Sequence, residues 1–101
     1  MKTMITARHC EIARELRQRA RTLMERVSKL SHRPHRGDVI FDDDHQRKVV
    51  ELMLHLPRGQ TRVASAEAAD FQTALDRAMG KLKRQLVKDG SKPAAKRSKT
   101  T

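Results

Sequence analysis

A chain of 101 residues with 23 Lys and Arg against 12 Asp and Glu has a formal charge of +11 and a pI near 10.9, which is one domain's worth of sequence with the electrostatics of a protein that meets polyanions. A domain of this size hides only about 60 to 68% of the surface its unfolded chain exposes, so most of its apolar residues are needed inside. The single Cys10 excludes an internal disulfide, the opening MKTMITARHC lacks the apolar run of a secretory signal, and no stretch approaches the ~20 apolar residues of a membrane span. A reducing cytoplasm is the expected setting.

In chain order, Thr3, Ile5 and Ala7 alternate with Lys2, Met4 and Thr6, which predicts a half-buried strand over residues 2–7. From Ile12 the period changes: Ile12, Leu16, Ala20, Leu23, Val27 and Leu30 recur at steps of four and three, predicting a first helix. Arg14, Arg17 and Arg21 share its outward side, flanked by Arg19, Arg26 and Lys29, with only Glu15 and Glu25 to offset them. Residues 32–37 end this helix, since Pro34 disfavours helical geometry at Arg33 and Gly37 permits a reversal. Val39, Ile40 and Phe41 then predict a strand over 38–41, closed by an acidic turn at Asp42, Asp43, Asp44 and His45.

The clearest strand is 48–56, where Val50, Leu52, Leu54 and Leu56 face one way and Val49, Glu51, Met53 and His55 the other. Pro57, Arg58 and Gly59 turn the chain into a further strand over 60–67, so the last three strands form an antiparallel meander. Asp70 is placed to cap a second helix, in which Phe71, Leu75, Ala78, Leu82 and Leu86 form the apolar stripe. Arg77, Lys81, Arg84 and Lys88 lie within about 60° of one another on another side of that helix. Gly80 interrupts this basic row and costs about 1 kcal/mol relative to Ala in a helix interior. Residues 91–101 carry four cations, no acid and no large apolar group, and read as a disordered basic tail beyond a folded domain of residues 1–90. The folded part keeps most of the excess charge.

The order strand, helix, strand, strand, strand, helix predicts an α+β fold, β-α-β-β-β-α, with both helices packed on one face of a four-stranded, mostly antiparallel sheet. The two basic helix backs then lie side by side. Arg14, Arg17, Arg21 and Lys29 from the first helix and Arg77, Lys81, Arg84 and Lys88 from the second are the candidate anion-binding residues.

Several runs resemble one family. Ala64, Ser65, Ala66 and Glu67, followed by Asp70, Phe71, Ala74, Leu75 and Asp76 and then Lys81, Leu82, Arg84, Gln85, Leu86 and Lys88, are similar without a gap to a run found in the ribosome hibernation-promoting factors, also called sigma-54 modulation proteins or ribosome-associated translation inhibitors. Ile5, Thr6, Glu11, Ile12, Leu16 and Arg17 resemble that family's opening, and Leu54, His55, Leu56 and Gly59 its hairpin. The chain departs from the pattern at Ala13, where a capping Ser or Thr is usual, at Gln72 in place of Tyr, at Gly80 in place of Asp, and in the run Asp42, Asp43, Asp44.

The resemblance implies a short-form, non-enzymatic translation inhibitor that occupies the mRNA and tRNA channel of the small ribosomal subunit and keeps ribosomes dormant under stress or in stationary phase. The expected partner is the small subunit with its rRNA, and weak self-association is a secondary expectation. No cofactor, small-molecule substrate or membrane is implied. A nucleoid-type DNA- or RNA-binding protein is the alternative that the charge also fits.

Other chemistry has less support in the sequence. His32 and His35 have zinc-like spacing, but the lone Cys10 completes no usual ligand frame. The run Asp42, Asp43, Asp44 lacks the alternation and the Gly of a calcium loop. Neither a nucleophile elbow nor a phosphate-binding Gly loop is present. Cys10 reads as a small buried residue beside the first helix.

Overall fold

The structure, a computed structural model, describes residues 1–90. The basic tail expected over 91–101 lies outside the described residues. Strand β1 (Lys2–Arg8) leads to helix α1 (Arg14–Ser28), then to β2 (Arg36–Asp44), β3 (Arg47–His55), β4 (Thr61–Ala68) and helix α2 (Phe71–Gly90). The sheet order is β1-β2-β3-β4, with β1 parallel to β2 and the other neighbours antiparallel. This is the expected α+β arrangement, and the parallel pair follows from α1 crossing over the sheet between β1 and β2.

One face of the sheet carries the core. Val39, Phe41, Val50, Leu52, Leu54, Ala64 and Ala66 project from it and meet Ala20, Met24 and Val27 of α1 and Leu75, Ala78, Leu82 and Leu86 of α2, all buried. Phe41 and Phe71 meet edge to face, with ring centroids 5.4 Å apart and planes at 89°, a geometry that sets the positive edge of one ring against the negative face of the other. The apolar stripes predicted from spacing are thus committed to one core. Leu30 is the exception: α1 stops at Ser28, and Leu30 is 42% exposed.

The acidic run is strand, not turn. Asp42, Asp43 and Asp44 all belong to β2, and the reversal falls at His45 and Gln46, with His45 at φ 59°. Strand geometry survives there because each carboxylate has an opposing cation: Arg8 beside Asp42, Lys48 2.6 Å from Asp43, and Arg47 across from Asp44 in register. Opposite charges across a strand pair stabilise it by roughly 0.2 to 1 kcal/mol, which offsets the poor strand propensity of Asp. Gly37 also differs from expectation. It lies inside β2, paired with Thr3 and Leu54, and a Cβ there would fall 2.7 Å from Met24 Cγ and 3.0 Å from its Sδ. Its absent side chain makes room for a fully buried methionine.

The helix starts follow the sequence. Ala13 is the N-cap of α1 and supplies no side-chain hydrogen bond, as its departure from the family pattern implies. At α2 the Thr73 amide donates to Asp70 Oδ1 at 2.7 Å and the Thr73 hydroxyl to Oδ2 at 3.1 Å. These two bonds, the amide's first, hold the Asp70 carboxyl below its ordinary value, helped by the charge of Arg77. The stabilisation from this cap is therefore complete above the ordinary value of 3.8 and is lost as pH falls through the lowered one.

Two glycine substitutions separate packing from propensity. Gly37→Ala is expected to destabilise by about 1 to 3 kcal/mol through overpacking, and Met24→Ala in the same chain should relieve part of that loss. At Gly80 the nearest neighbour of an added Cβ is Arg84 Nη1 at 3.6 Å, so Gly80→Ala should stabilise by about 1 kcal/mol. Urea unfolding midpoints measure both, and a neutral Gly37→Ala would contradict the tight contact with Met24.

Candidate nucleic-acid interface

The two faces of the molecule handle charge differently. On the sheet face away from the helices, alternation exposes Asp38, Asp42, Asp44, Glu51 and Glu67 among Lys2, Arg8, Arg36 and Arg47. Arg36 lies 2.9 Å from Asp38, Arg47 3.0 Å from Glu67, and Arg8 3.8 Å from both Asp42 and Glu51. His55 and His9 also meet carboxylates, Asp38 at 2.9 Å and Asp42 at 3.1 Å. Between them lie Met4, Ile40, Val49, Met53 and Val63, exposed or half-buried. This face is close to neutral.

The helical layer holds the excess. Among the described residues, Arg14, Arg17, Arg26 and Lys29 of α1 and its C-cap, and Lys83 and Arg84 of α2, are exposed and have neither an ion pair nor a side-chain hydrogen bond. The ion pair that joins the helices is Arg19 with Asp76 at 3.0 Å. Of the eight residues singled out from the sequence, Arg14, Arg17, Lys29 and Arg84 fall in this unpaired set. Lys88 is exposed in the last turns of α2.

Arg21, Arg77 and Lys81 have a second task. Arg21 Nη1 donates to the Thr3 carbonyl at 3.1 Å, on the edge strand β1. On the other edge, Arg77, Lys81 and Gln85 donate to the carbonyls of Glu67, Ser65 and Val63 in β4, at 3.2, 2.9 and 2.7 Å. Four-residue spacing along α2 keeps step with two-residue spacing along the strand, because four helical residues rise about 6 Å and two strand residues about 6.6 Å. A carbonyl is neutral, so these cations are anchored without their charge being cancelled. The row could have been found in the sequence from Gln85, which continues the spacing of Arg77 and Lys81.

The helix backs do not converge as expected from spacing. Arg14 and Arg17 share the side of α1 that carries Arg21 to the β1 edge, whereas Arg77 and Lys81 lean over β4. The seam between the helices is occupied by the Arg19–Asp76 pair, and Arg26 and Lys83 each follow one of these two by seven residues, in phase with it along its helix. Sequence reasoning gave no site role to these last two cations. The exposed cations consequently form a broad basic layer, framed by the two sheet edges.

Among the described residues no group of three or more His, Cys, Asp and Glu side chains is placed to hold a metal, and no helix is long and apolar enough to cross a membrane. Cys10 is half-buried with its Sγ 3.7 Å from the Phe41 carbonyl oxygen. Burial, then the charges of Asp43 and Asp42, push its thiol above the ordinary value, the reverse of an activated nucleophile.

Residues 3–93 match the family described as sigma 54 modulation protein / S30EA ribosomal protein. Among solved structures the chain is similar to a ribosomal subunit interface protein from Coxiella burnetii, at 26% identity and a TM-score of 0.78, over 90% of this chain and 99% of that one. It is also similar in fold to the N-terminal domain of Protein Y from Thermus thermophilus, at 22% identity and a TM-score of 0.75, over 88% of this chain and 99% of that one. No curated protein sequence matches the chain.

The edge contacts predict a change in association. Replacing Arg77, Lys81 and Gln85 together with Ala uncovers three carbonyls of β4, and an exposed edge is a template for pairing with another chain. Sedimentation velocity should show stronger concentration-dependent self-association for the triple variant than for the parent. A triple variant no more associated than the parent would show that these side chains do not guard the edge.

Proposed function

Because the chain belongs to the sigma 54 modulation protein / S30EA ribosomal protein family, we propose that it is a ribosome-binding translation inhibitor that occupies the mRNA and tRNA channel of the small subunit and keeps ribosomes dormant. The observation that carries this reading is the segregation of charge: the sheet face pairs its ions internally, and the helical layer leaves its cations for a partner. Arg14, Arg17, Arg21, Lys29, Arg77, Lys81, Arg84 and Lys88 face rRNA in this account, joined by Arg26 and Lys83. Its setting is the cytoplasm, where ribosomes are.

Structured rRNA offers phosphates and ribose hydroxyls in a fixed shape, which a rigid basic layer matches without reading bases. Arginine suits this work because its planar fork can bridge two phosphate oxygens, and it stays charged at any physiological pH. Anchoring Arg21, Arg77 and Lys81 on strand carbonyls lowers the side-chain entropy they lose on binding. Base stacking has no exposed platform in the described residues, since Phe41 is buried and Phe71 packs against it. Binding of this kind is governed by charge and shape, and each phosphate neutralised releases counterions.

The test uses the unpaired cations, which have no structural task to confuse the result. Replacing Arg14, Arg17 and Arg84 with Ala should leave the circular dichroism spectrum unchanged and abolish co-sedimentation with small subunits at physiological salt. The log–log dependence of affinity on salt should flatten by about one for each cation removed. Unchanged co-sedimentation would reject the helical layer as the interface, and equal affinity of the parent for duplex DNA would favour a nucleoid-type role instead.

A further inference from the structure

Among the described residues nothing packs on the sheet face away from the helices, and its charge is largely matched within itself. Arg8 meets Asp42 and Glu51, Arg36 meets Asp38, and Arg47 meets Glu67. Met4, Ile40, Val49, Met53 and Val63 stand between these pairs, with Met4 39% and Val63 49% exposed. Met53 and Val63 are direct neighbours across β3 and β4. The helical layer, by contrast, carries the excess of positive charge and would repel a copy of itself.

The charges on the sheet face are graded along the strands. Asp42, Asp44 and Glu67 lie toward the end where β2 finishes, with Arg8 and Arg47, whereas Lys2 and Arg36 lie toward the other end with Asp38. Two side chains are left over. Lys2 and Asp44 are exposed and have neither an ion pair nor a side-chain hydrogen bond among the described residues, because Arg47, across from Asp44, reaches Glu67 instead. Lys2 is in register with Arg36, and from there to Asp44 is roughly 26 Å along β2, too far for the two to meet within one copy.

We propose that this face pairs with the same face of a second copy, about a two-fold axis lying between the sheets and perpendicular to the strands. That axis reverses the strand direction of the second copy and brings Asp44 of each copy to the Lys2 end of the other, so each leftover charge finds its opposite, once on either side of the axis. An axis along the strands would set the two carboxylate-rich ends together. Stacked sheets lie about 10 Å apart with strands within about 30° of one another, close enough for Met and β-branched side chains to interdigitate. Most charges that enter the contact are already paired inside a copy, which limits the cost of drying them. Both helical layers then point outward. Four strands of seven to nine residues offer roughly 500 Å² per copy at about 4.8 Å between strands. The total of roughly 1,000 Å² is at the threshold for a specific contact and short of the standard ~1,600 Å², so the dimer is a transient one that dissociates on dilution.

The full chain, labelled with nitrogen-15, is diluted from millimolar to micromolar concentration and followed by amide NMR and sedimentation velocity. Met53→Lys, Lys2→Glu, Asp44→Lys and the double exchange of Lys2→Glu with Asp44→Lys are compared with the parent. Circular dichroism checks that each is folded, and Val63→Lys, at a more exposed site, replaces Met53→Lys if that variant is not.

The parent should form one saturable dimer, with concentration-dependent shifts in the amides of β1 to β4 and none in α1 or α2. Met53→Lys should weaken it by about tenfold or more. Lys2→Glu and Asp44→Lys should each weaken it several-fold, and the double exchange should return to within about threefold of the parent, since only a contact between these two positions across copies is repaired by exchanging them. A double exchange as weak as the two single changes combined would overturn the two-fold arrangement. A parent that stays monomeric at millimolar concentration would overturn the dimer, and sheet-face shifts that appear only when small subunits are added would give the face to a ribosomal component instead. None of these outcomes depends on which face meets rRNA.

Discussion

Two amphipathic helices on one face of a four-stranded sheet must bury that face completely, and they leave the sheet with two raw edges and a bare back. Most of the remaining structure answers this constraint. The edges are covered from above by side chains that grow out of the helices, Arg21 over β1 and Arg77, Lys81 and Gln85 over β4. The back is kept polar by ion pairs along and across its strands, which surround apolar side chains such as Met4 and Val63 with charge. Surface ion pairs of this kind contribute little stability each, with a median of about 0 to 1 kcal/mol. Their larger effect is to remove the sheet face from the chain's excess positive charge.

The edge contacts link fold to function, because a cation that hydrogen-bonds a carbonyl is positioned and still charged. The same side chains that protect β4 can therefore remain part of a polyanion-binding layer. Removing one of them alters both the edge and the electrostatic field. Arg14, Arg17 and Arg84 have no such second task, and on them the two effects separate.

Much of this was legible in the sequence. Period-two and three-to-four-residue patterns located every strand and helix, and the cap at Asp70 marked where α2 begins. What escaped depended on partners distant in the chain. The carboxylates of residues 42–44 read as a turn because their compensating cations, Arg8, Lys48 and Arg47, become visible only once the strand register is known. Gly37 read as a reversal because its real constraint is Met24, which sits in another element. Helical phase identified the basic rows of both helices correctly as outward. It could not say that the rows would lean toward opposite sheet edges, since that depends on how each helix is rotated about its own axis over the sheet. Arg26 and Lys83 escape because they lie off the main rows.

The central claim is that the helical layer, and not the sheet face, is what rRNA meets. An electron cryomicroscopy map of the chain bound to the small ribosomal subunit tests this most directly. The account predicts α1 and α2 against rRNA, with the guanidinium groups of Arg14, Arg17 and Arg84 within hydrogen-bonding distance of phosphate oxygens and the face bearing Met4, Ile40 and Met53 turned away. A map with that sheet face against rRNA and the helices toward solvent would contradict it.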